Sequence, residues 1–305
     1  MIRGRVYTRE DLIKFQPRHA TFVGIDSDGC VFDTMEIKQK QCFHGEIIRH
    51  WRLEAIEKEL REAAEFVNLY SRSRGRNRFV CLLDTFDLLA ARPEVRASGV
   101  KLPPFEALRR FIDSGATLGN PALQKAAEES GSAELASVLE WSLAVNARVA
   151  EVVGHVPPFQ WAVKSLKKLR RHSDTIVVSQ TPAEALVREW RENGIDALVS
   201  VIAGQELGTK AEHIAMATRG RYKPDEVLMI GDAPGDMQAA LANLSLFYPV
   251  NPGHEEESWR RFCDEAYDRF LDGKYSADYQ RRLVAEFEAL LPETPPWASA
   301  EGQGQ

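Results

Sequence analysis

Ala20-Thr21-Phe22-Val23-Gly24-Ile25-Asp26-Ser27-Asp28-Gly29 is an apolar run that stops abruptly on two carboxylates and a glycine. A short apolar run closed by turn-forming residues is the mark of a strand buried on both faces, as in a parallel sheet. Four more such runs follow, at Thr175 to Val178, Ala197 to Ala203, Val227 to Ile230 and Ser245 to Val250. Between the last four lie amphipathic stretches of helical period, Pro182 to Asn193, Lys210 to Arg219 and Gly235 to Ala242. Each is about the length that a right-handed crossover requires. The pattern predicts an α/β fold with a Rossmann-like, doubly wound parallel sheet.

The first run stands apart, because about 130 residues separate it from the second, far more than a crossover helix needs. Apolar residues inside this interval recur at helical spacing, as in Ile47, Ile48 and Trp51 and again in Leu135, Val138, Leu139 and Leu143. The interval predicts an inserted all-helical domain over residues 35–156, entered through Asp33 and Thr34 and left through the stiff linker Gly154-His155-Val156-Pro157-Pro158. The α/β core then comprises residues 1–34 and 157–305. From about residue 253 it carries a helical extension, Ser258 to Asp272 and Ala277 to Leu291, and about ten terminal residues rich in Gly and Gln are expected to be disordered.

Composition narrows the function. The 305 residues hold 44% hydrophobic side chains and carry a net charge of −6, with 39 basic and 45 acidic residues interleaved along the chain. Such a chain buries a sizeable core but presents no long-range field for a polyanion, so nucleic acid is excluded as an expected partner. Cys30, Cys42, Cys81 and Cys263 are scattered, without a C-x-x-C pair, which predicts neither a zinc site nor a disulfide framework. Met1 to Lys14 lacks the apolar centre of a signal peptide, and no membrane-length apolar stretch occurs, so a cytoplasmic protein is expected. The oligomeric state is left open.

In an open parallel sheet, ligands bind at the carboxyl ends of the strands. Those ends are chemically rich here. The first run leads into Asp26-Ser27-Asp28-Gly29, the second into Ser179-Gln180-Thr181, and the fourth into Gly231-Asp232-Ala233-Pro234-Gly235-Asp236, while Lys210 opens the helix after the third. Several carboxylates brought together repel unless a cation joins them, and hard oxygen donors suit magnesium. A carboxylate can also attack phosphorus to give an aspartyl-phosphate, after which catalysis needs mainly positioning and charge neutralisation. Gly29 would admit backbone amides close to the phosphoryl group, and Ser179, Gln180 and Lys210 would hold it.

The stretch Asp26-Ser27-Asp28-Gly29-Cys30-Val31-Phe32-Asp33-Thr34 resembles the first signature of the haloacid-dehalogenase-like superfamily of phosphotransferases. Ser179 resembles the second, Lys210 the third, and Gly231-Asp232 through Asp236 the fourth, in the same order along the chain. The resemblance covers the α/β core, roughly half of the chain, and the insertion after the first strand is similar to the family's helical cap. It implies that Asp26 is the nucleophile and that Asp28 protonates the leaving oxygen and later activates water. Asp26, Asp28 through its backbone carbonyl, Asp232 and Asp236 would bind Mg2+. An acidic residue two positions after the nucleophile further implies phosphate-ester rather than dehalogenase chemistry.

The expected function is therefore a magnesium-dependent phosphatase acting on a small phosphorylated metabolite. A phosphomutase using the same intermediate, or a catalytically weak phosphate-binding or interaction protein, are the alternatives. The basic stretch Arg72-Ser73-Arg74-Gly75-Arg76-Asn77-Arg78 is a candidate grip on an anionic substrate, so Arg72, Arg74, Arg76 and Arg78 are candidate specificity residues. His44, His50 and Trp51 share a helical face and are read mainly as packed. Lys164, Lys167 and Lys168 are read as a solvated helical face, and Asp33 and Thr34 as a hinge and helix cap.

Overall fold

The computed structural model describes residues 7–154 and 156–300. Met1 to Val6, His155 of the expected linker and residues 301–305 of the expected disordered end lie outside them.

Five strands form one parallel sheet: β1 (Phe22–Ile25), β2 (Asp174–Val178), β3 (Val201–Ala203), β4 (Val227–Gly231) and β5 (Leu246–Pro249). Their spatial order is β3-β2-β1-β4-β5. The chain builds outward from β1 to β2 and β3, then returns to start again at β4 and β5. The order thus reverses between β1 and β4, and the carboxyl ends of those two strands are where open α/β sheets bind their ligands. Ile25, the last residue of β1, pairs with Val177 on one side and Ile230 on the other.

Alternation places two cores on the two faces of this sheet. Val23, Ile25, Val177, Leu228 and Ile230 pack with Leu166, Trp190, Trp259 and Phe262 on one face. Phe22, Ile176, Val178, Met229 and Phe247 pack with Ile214, Ala217, Ala240 and Phe287 on the other. All of these are buried, which is why the strands read as unbroken apolar runs. One run is shorter than its composition suggests. Asp196–Leu198 forms a 3-10 turn, and only Val201–Ala203 joins the sheet.

Among the described residues the chain divides into two compact units, 7–34 with 156–291 and 35–154 with 292–300. The second is helical, its main helices being Glu57–Asn68, Arg78–Ala91, Asn120–Ser130 and Ala133–Val152. It has its own core, in which Ile47, Leu60, Leu82, Phe86, Val138 and Trp141 are buried. The expectation that everything after residue 157 stays with the α/β core is corrected at its end, since residues 292–300 group with the helical unit. Nor is that end wholly irregular, because Pro296–Ala300 is a helix. Proline at its first position suits a helix start. Both ends of the insertion are pinned together by a bridge between Phe32 and Pro158 and by the N–H of Phe159, which donates to Val31 O at 2.9 Å.

Candidate active site

Four loops at the carboxyl edge of the sheet supply the site. The first, after β1, is wound around the Ser27 carbonyl, which accepts the N–H groups of Cys30, Val31 and Phe32. Gly29 turns it with φ of 77°, in the left-handed region that favours glycine. Two indoles fix the loop from beneath, Trp190 donating to Ser27 Oγ at 2.9 Å and Trp259 to the Cys30 carbonyl at 2.7 Å. Both tryptophans are fully buried in the α/β core, so the loop inherits the rigidity of that core.

Asp26 leaves β1 with one oxygen, Oδ1, accepting the N–H of Ser27 at 2.8 Å. Its other oxygen, Oδ2, accepts from Lys210 Nζ at 2.8 Å, and the same ammonium donates to Asp236 Oδ1 at 2.6 Å. Asp236 is the third residue of the helix Pro234–Ala242, where its Oδ2 accepts the N–H of Ala233 at 3.1 Å and caps the helix. Gly231 makes this possible. A Cβ there would lie 2.2 Å from Asp236 Cγ, closer than atoms can approach. Lys210 is presented by a second capped helix, in which Thr209 accepts from the N–H of Glu212 and Glu212 accepts from the N–H of Thr209.

Asp26, Asp232 and Asp236 each offer a carboxylate oxygen, and these oxygens lie within 4.8 Å of one another. All three residues are nearly inaccessible, at 5%, 1% and 0% exposure. Burial pushes the Asp26 carboxyl up to about 6, with Asp232 adding to the rise and Lys210 opposing it. Burial likewise raises Asp236. It works against the charge of Lys210, but Asp236 and Asp26 outweigh it and hold the ammonium above its ordinary range. One ammonium cannot neutralise three buried carboxylates, so a hard divalent cation fits the donor set. The Cys30 thiol nearby is no competitor as a ligand, because burial and the same carboxylates raise its pKa well above the ordinary value.

Asp28 stands outside this triad. Its Oδ2 accepts from Thr181 Oγ1 at 2.6 Å and its Oδ1 from Thr34 Oγ1. Thr34 is therefore a partner of Asp28 rather than a cap, since it is already the first residue of the helix Thr34–Ile37 and spends its hydroxyl on the carboxylate. Sequence reasoning passed over Thr34 as a site residue and noted Thr181 without giving it a role. A hydroxyl that meets a carboxylate 153 positions away leaves no local pattern to read. Ser179 is buried at the end of β2, and its Oγ accepts the N–H of Thr181 at 3.1 Å, so its own proton remains to be donated.

The N–H of Gly29 donates to Phe32 O at 2.8 Å and holds the turn of the first loop. The side-chain amide of Gln180 donates to Gly208 O at 3.0 Å and braces the loop that leads to Lys210. Gly204 is a further positioning residue, because a Cβ there would come within 2.6 Å of Ala183 N and 2.8 Å of Thr181 O.

The arginine-rich segment does not form an unclaimed basic patch. Arg72 pairs with Glu293 and Arg76 with Asp84, both at 2.8 Å. Arg74 is buried and donates to Leu69 O at 2.9 Å. Arg78 donates to Ser142 and Asn146 and lies 5.1 Å from the Phe43 ring, and burial lowers its pKa to about 10. Each guanidinium is thus engaged within the helical unit. His50 meets Ser137 Oγ at 2.8 Å, Trp51 packs on Phe86, Phe105 and Trp141, and burial lowers the His44 imidazole to about 3, leaving it neutral. Lys164 and Lys167 are exposed, whereas Lys168 is half-buried, donating to Cys263 O at 2.8 Å and pairing with Asp268, so it joins its helix to the C-terminal segment instead of facing solvent.

No family model and no curated relative matches the chain. Solved structures that resemble it include a haloacid dehalogenase-like family hydrolase from Streptococcus pneumoniae, 14% identical, with 80% of this chain and 91% of that one covered and a TM-score of 0.42. A protein described as a predicted phosphatase from Clostridium acetobutylicum is 16% identical, over 88% of this chain and 99% of that one, with a TM-score of 0.42. The defluorinating L-2-haloacid dehalogenase Rha0230 is 16% identical, over 77% and 83%, with a TM-score of 0.38. Likeness at this level carries no functional weight. Among the described residues, no helix is long and apolar enough to cross a membrane.

Proposed function

We propose that this chain is a magnesium-dependent phosphatase of the haloacid-dehalogenase-like type, which hydrolyses a small phosphorylated metabolite through an aspartyl-phosphate on Asp26. The observation that carries this reading is the buried meeting of Asp26, Asp232 and Asp236 within 4.8 Å at the sheet's reversal point, with Lys210 joining two of them.

Asp26, Asp232 and Asp236, with the backbone carbonyl of Asp28, would hold Mg2+, which supplies positive charge to the phosphoryl oxygens. Asp26 attacks phosphorus while the ester oxygen departs, and Asp28 gives that oxygen its proton. Asp28, now a carboxylate, takes a proton from water, whose oxygen then attacks the same phosphorus and releases Asp26. Ser179 donates its hydroxyl to a phosphoryl oxygen, and Lys210 adds charge and keeps Asp26 oriented. Thr34 and Thr181 position Asp28. The carboxyl at Asp28 also favours a phosphate ester over a carbon–halogen bond, because only the former needs an acid for an alkoxide leaving group.

The test is a screen of aryl phosphate and many phosphorylated metabolites, with and without Mg2+, using Asp26→Asn as control. Magnesium-stimulated release of inorganic phosphate that disappears in the variant is expected. Full activity in Asp26→Asn would end the nucleophile assignment, and isomerisation of a sugar phosphate without phosphate release would turn the reading to a mutase.

A further inference from the structure

The helix Glu255–Arg261 follows the last strand and supplies none of the three clustered carboxylates. It reaches the loop after β1 all the same. Trp259 Nε1 donates to the Cys30 carbonyl at 2.7 Å, and both residues are fully buried, so this bond is formed out of water. Glu256, one helical turn earlier, accepts the N–H of Gln160 on Oε1 at 2.7 Å and the N–H of Trp161 on Oε2 at 2.9 Å. These two amides open the helix Gln160–His172, where a carboxylate satisfies free donors and meets the positive end of the helix dipole. Phe159, just before that helix, donates its own N–H to Val31 O at 2.9 Å. One short helix thus holds two consecutive carbonyls of the loop, Cys30 directly and Val31 through the helix that Glu256 caps. All of these residues belong to the α/β unit.

The holding helix is itself fixed to the sheet. Tyr248 of β5 donates its hydroxyl to Ser258 O at 2.6 Å, the N–H of Asn251 donates to Ser258 Oγ at 3.0 Å, and the Trp259 ring meets Phe262 edge-on at 5.6 Å. Position is therefore passed from the sheet to the loop. Between Asp28 and Thr34 the loop is built of turns, with Asp28 at one end and, at the other, the hydroxyl that donates to it. A small displacement of such a segment moves an acid relative to its target, and misplacement by about 1 Å can cost on the order of a hundredfold in rate.

We infer that Trp259 and Glu256 are positioning residues, through which the helix Glu255–Arg261 keeps Asp28 where it gives and takes its proton. The role in turnover rests on the phosphatase reading, whereas the holding of the loop does not.

Trp259→Phe removes the donor and keeps an aromatic ring in the core, and Glu256→Ala removes the cap. Hydrogen exchange of the full chain reads the loop at the N–H groups of Cys30, Val31 and Phe32, which donate to Ser27 O. In Trp259→Phe they are expected to exchange about tenfold faster, the factor that one lost buried hydrogen bond gives. The amides of Leu207 and Gly208, in the loop before Lys210, should keep their native rates. Glu256→Ala is expected to give about a threefold increase at the same three amides, as for a lost cap, and because Glu256 is partly exposed this variant stays informative if Trp259→Phe does not fold. Against an aryl phosphate, kcat of Trp259→Phe should fall about tenfold with KM within about twofold of native, a split that general loosening of the fold would not give. Native exchange at the three amides in both variants would overturn the holding of the loop, and equal acceleration at Leu207 and Gly208 would reduce Trp259 to a core residue. Faster loop exchange with native kcat would overturn the positioning role. A native protein without any phosphatase activity would remove the phosphatase reading and the role in turnover with it, while exchange would still decide whether the helix holds the loop.

Discussion

Lys210 contributes the positive charge among the site residues, and two of the three clustered carboxylates depend on it directly. Lys210→Met is expected to lower kcat/KM by at least about a hundredfold, the scale of losing one preorganised charge in a dry site, without unfolding the protein. Steady-state kinetics and a thermal melt check this together. The raised carboxyl of Asp26 makes a second prediction. Its proton is held more tightly in the folded chain, at about 6, than in the unfolded one. This residue's contribution therefore favours folding below its unfolded pKa and is lost as pH rises through about 6. The Tm of metal-free protein should fall over that interval, and the Tm gained on adding Mg2+ should be larger at pH 7.5 than at pH 5, because protons compete with the ion. Equal gains at both pH values would contradict a magnesium site built on Asp26.

Elements act by presenting these side chains at fixed angles. The helix Pro234–Ala242 begins where β4 ends, and Asp236 both caps it and meets Lys210, packed so closely on Gly231 that a Cβ there would fall within 2.4 Å of three Asp236 side-chain atoms. Gly231→Ala is expected to abolish activity and to destabilise the α/β unit by roughly 2 kcal/mol or more, the scale of overpacking a tight contact. Chemical denaturation and the aryl phosphate assay would show both. The run Val227 to Ile230 was legible as a strand, and Gly231 as its end, because burial on both faces leaves an apolar string. The reason for the glycine was not legible, since it depends on a side chain reached only after the helix turns back. The same limit applied at Ala197 to Val199, whose apolar residues suit a strand but lie in a turn.

At the scale of the molecule, two cores support two units. Trp141 is buried within the helical unit's aromatic cluster and has no part in the carboxylate site. Trp141→Ala should cost about 3–5 kcal/mol in that unit. Calorimetry is then expected to show a lowered transition for the helical unit and a nearly unchanged one for the α/β unit; a single transition shifted as a whole would mean that the two melt as one.

Alternation of apolar runs with helical periods, and carboxylates at the ends of two of those runs, were enough to specify a parallel α/β core, its helical insertion and Asp26, Asp232, Asp236 and Lys210 as its candidate chemistry. These are local properties, because a strand buried on both faces must be apolar along its whole length and must end in polar residues where it reaches solvent. Tertiary structure alone decided the partners. It gave Asp28 the hydroxyls of Thr34 and Thr181, engaged the arginines of residues 72–78 within the helical unit, and sent the last residues to Arg92 and Phe66. Each of these depends on side chains far apart in sequence meeting at a few ångströms, and no periodicity or spacing along the chain encodes that distance.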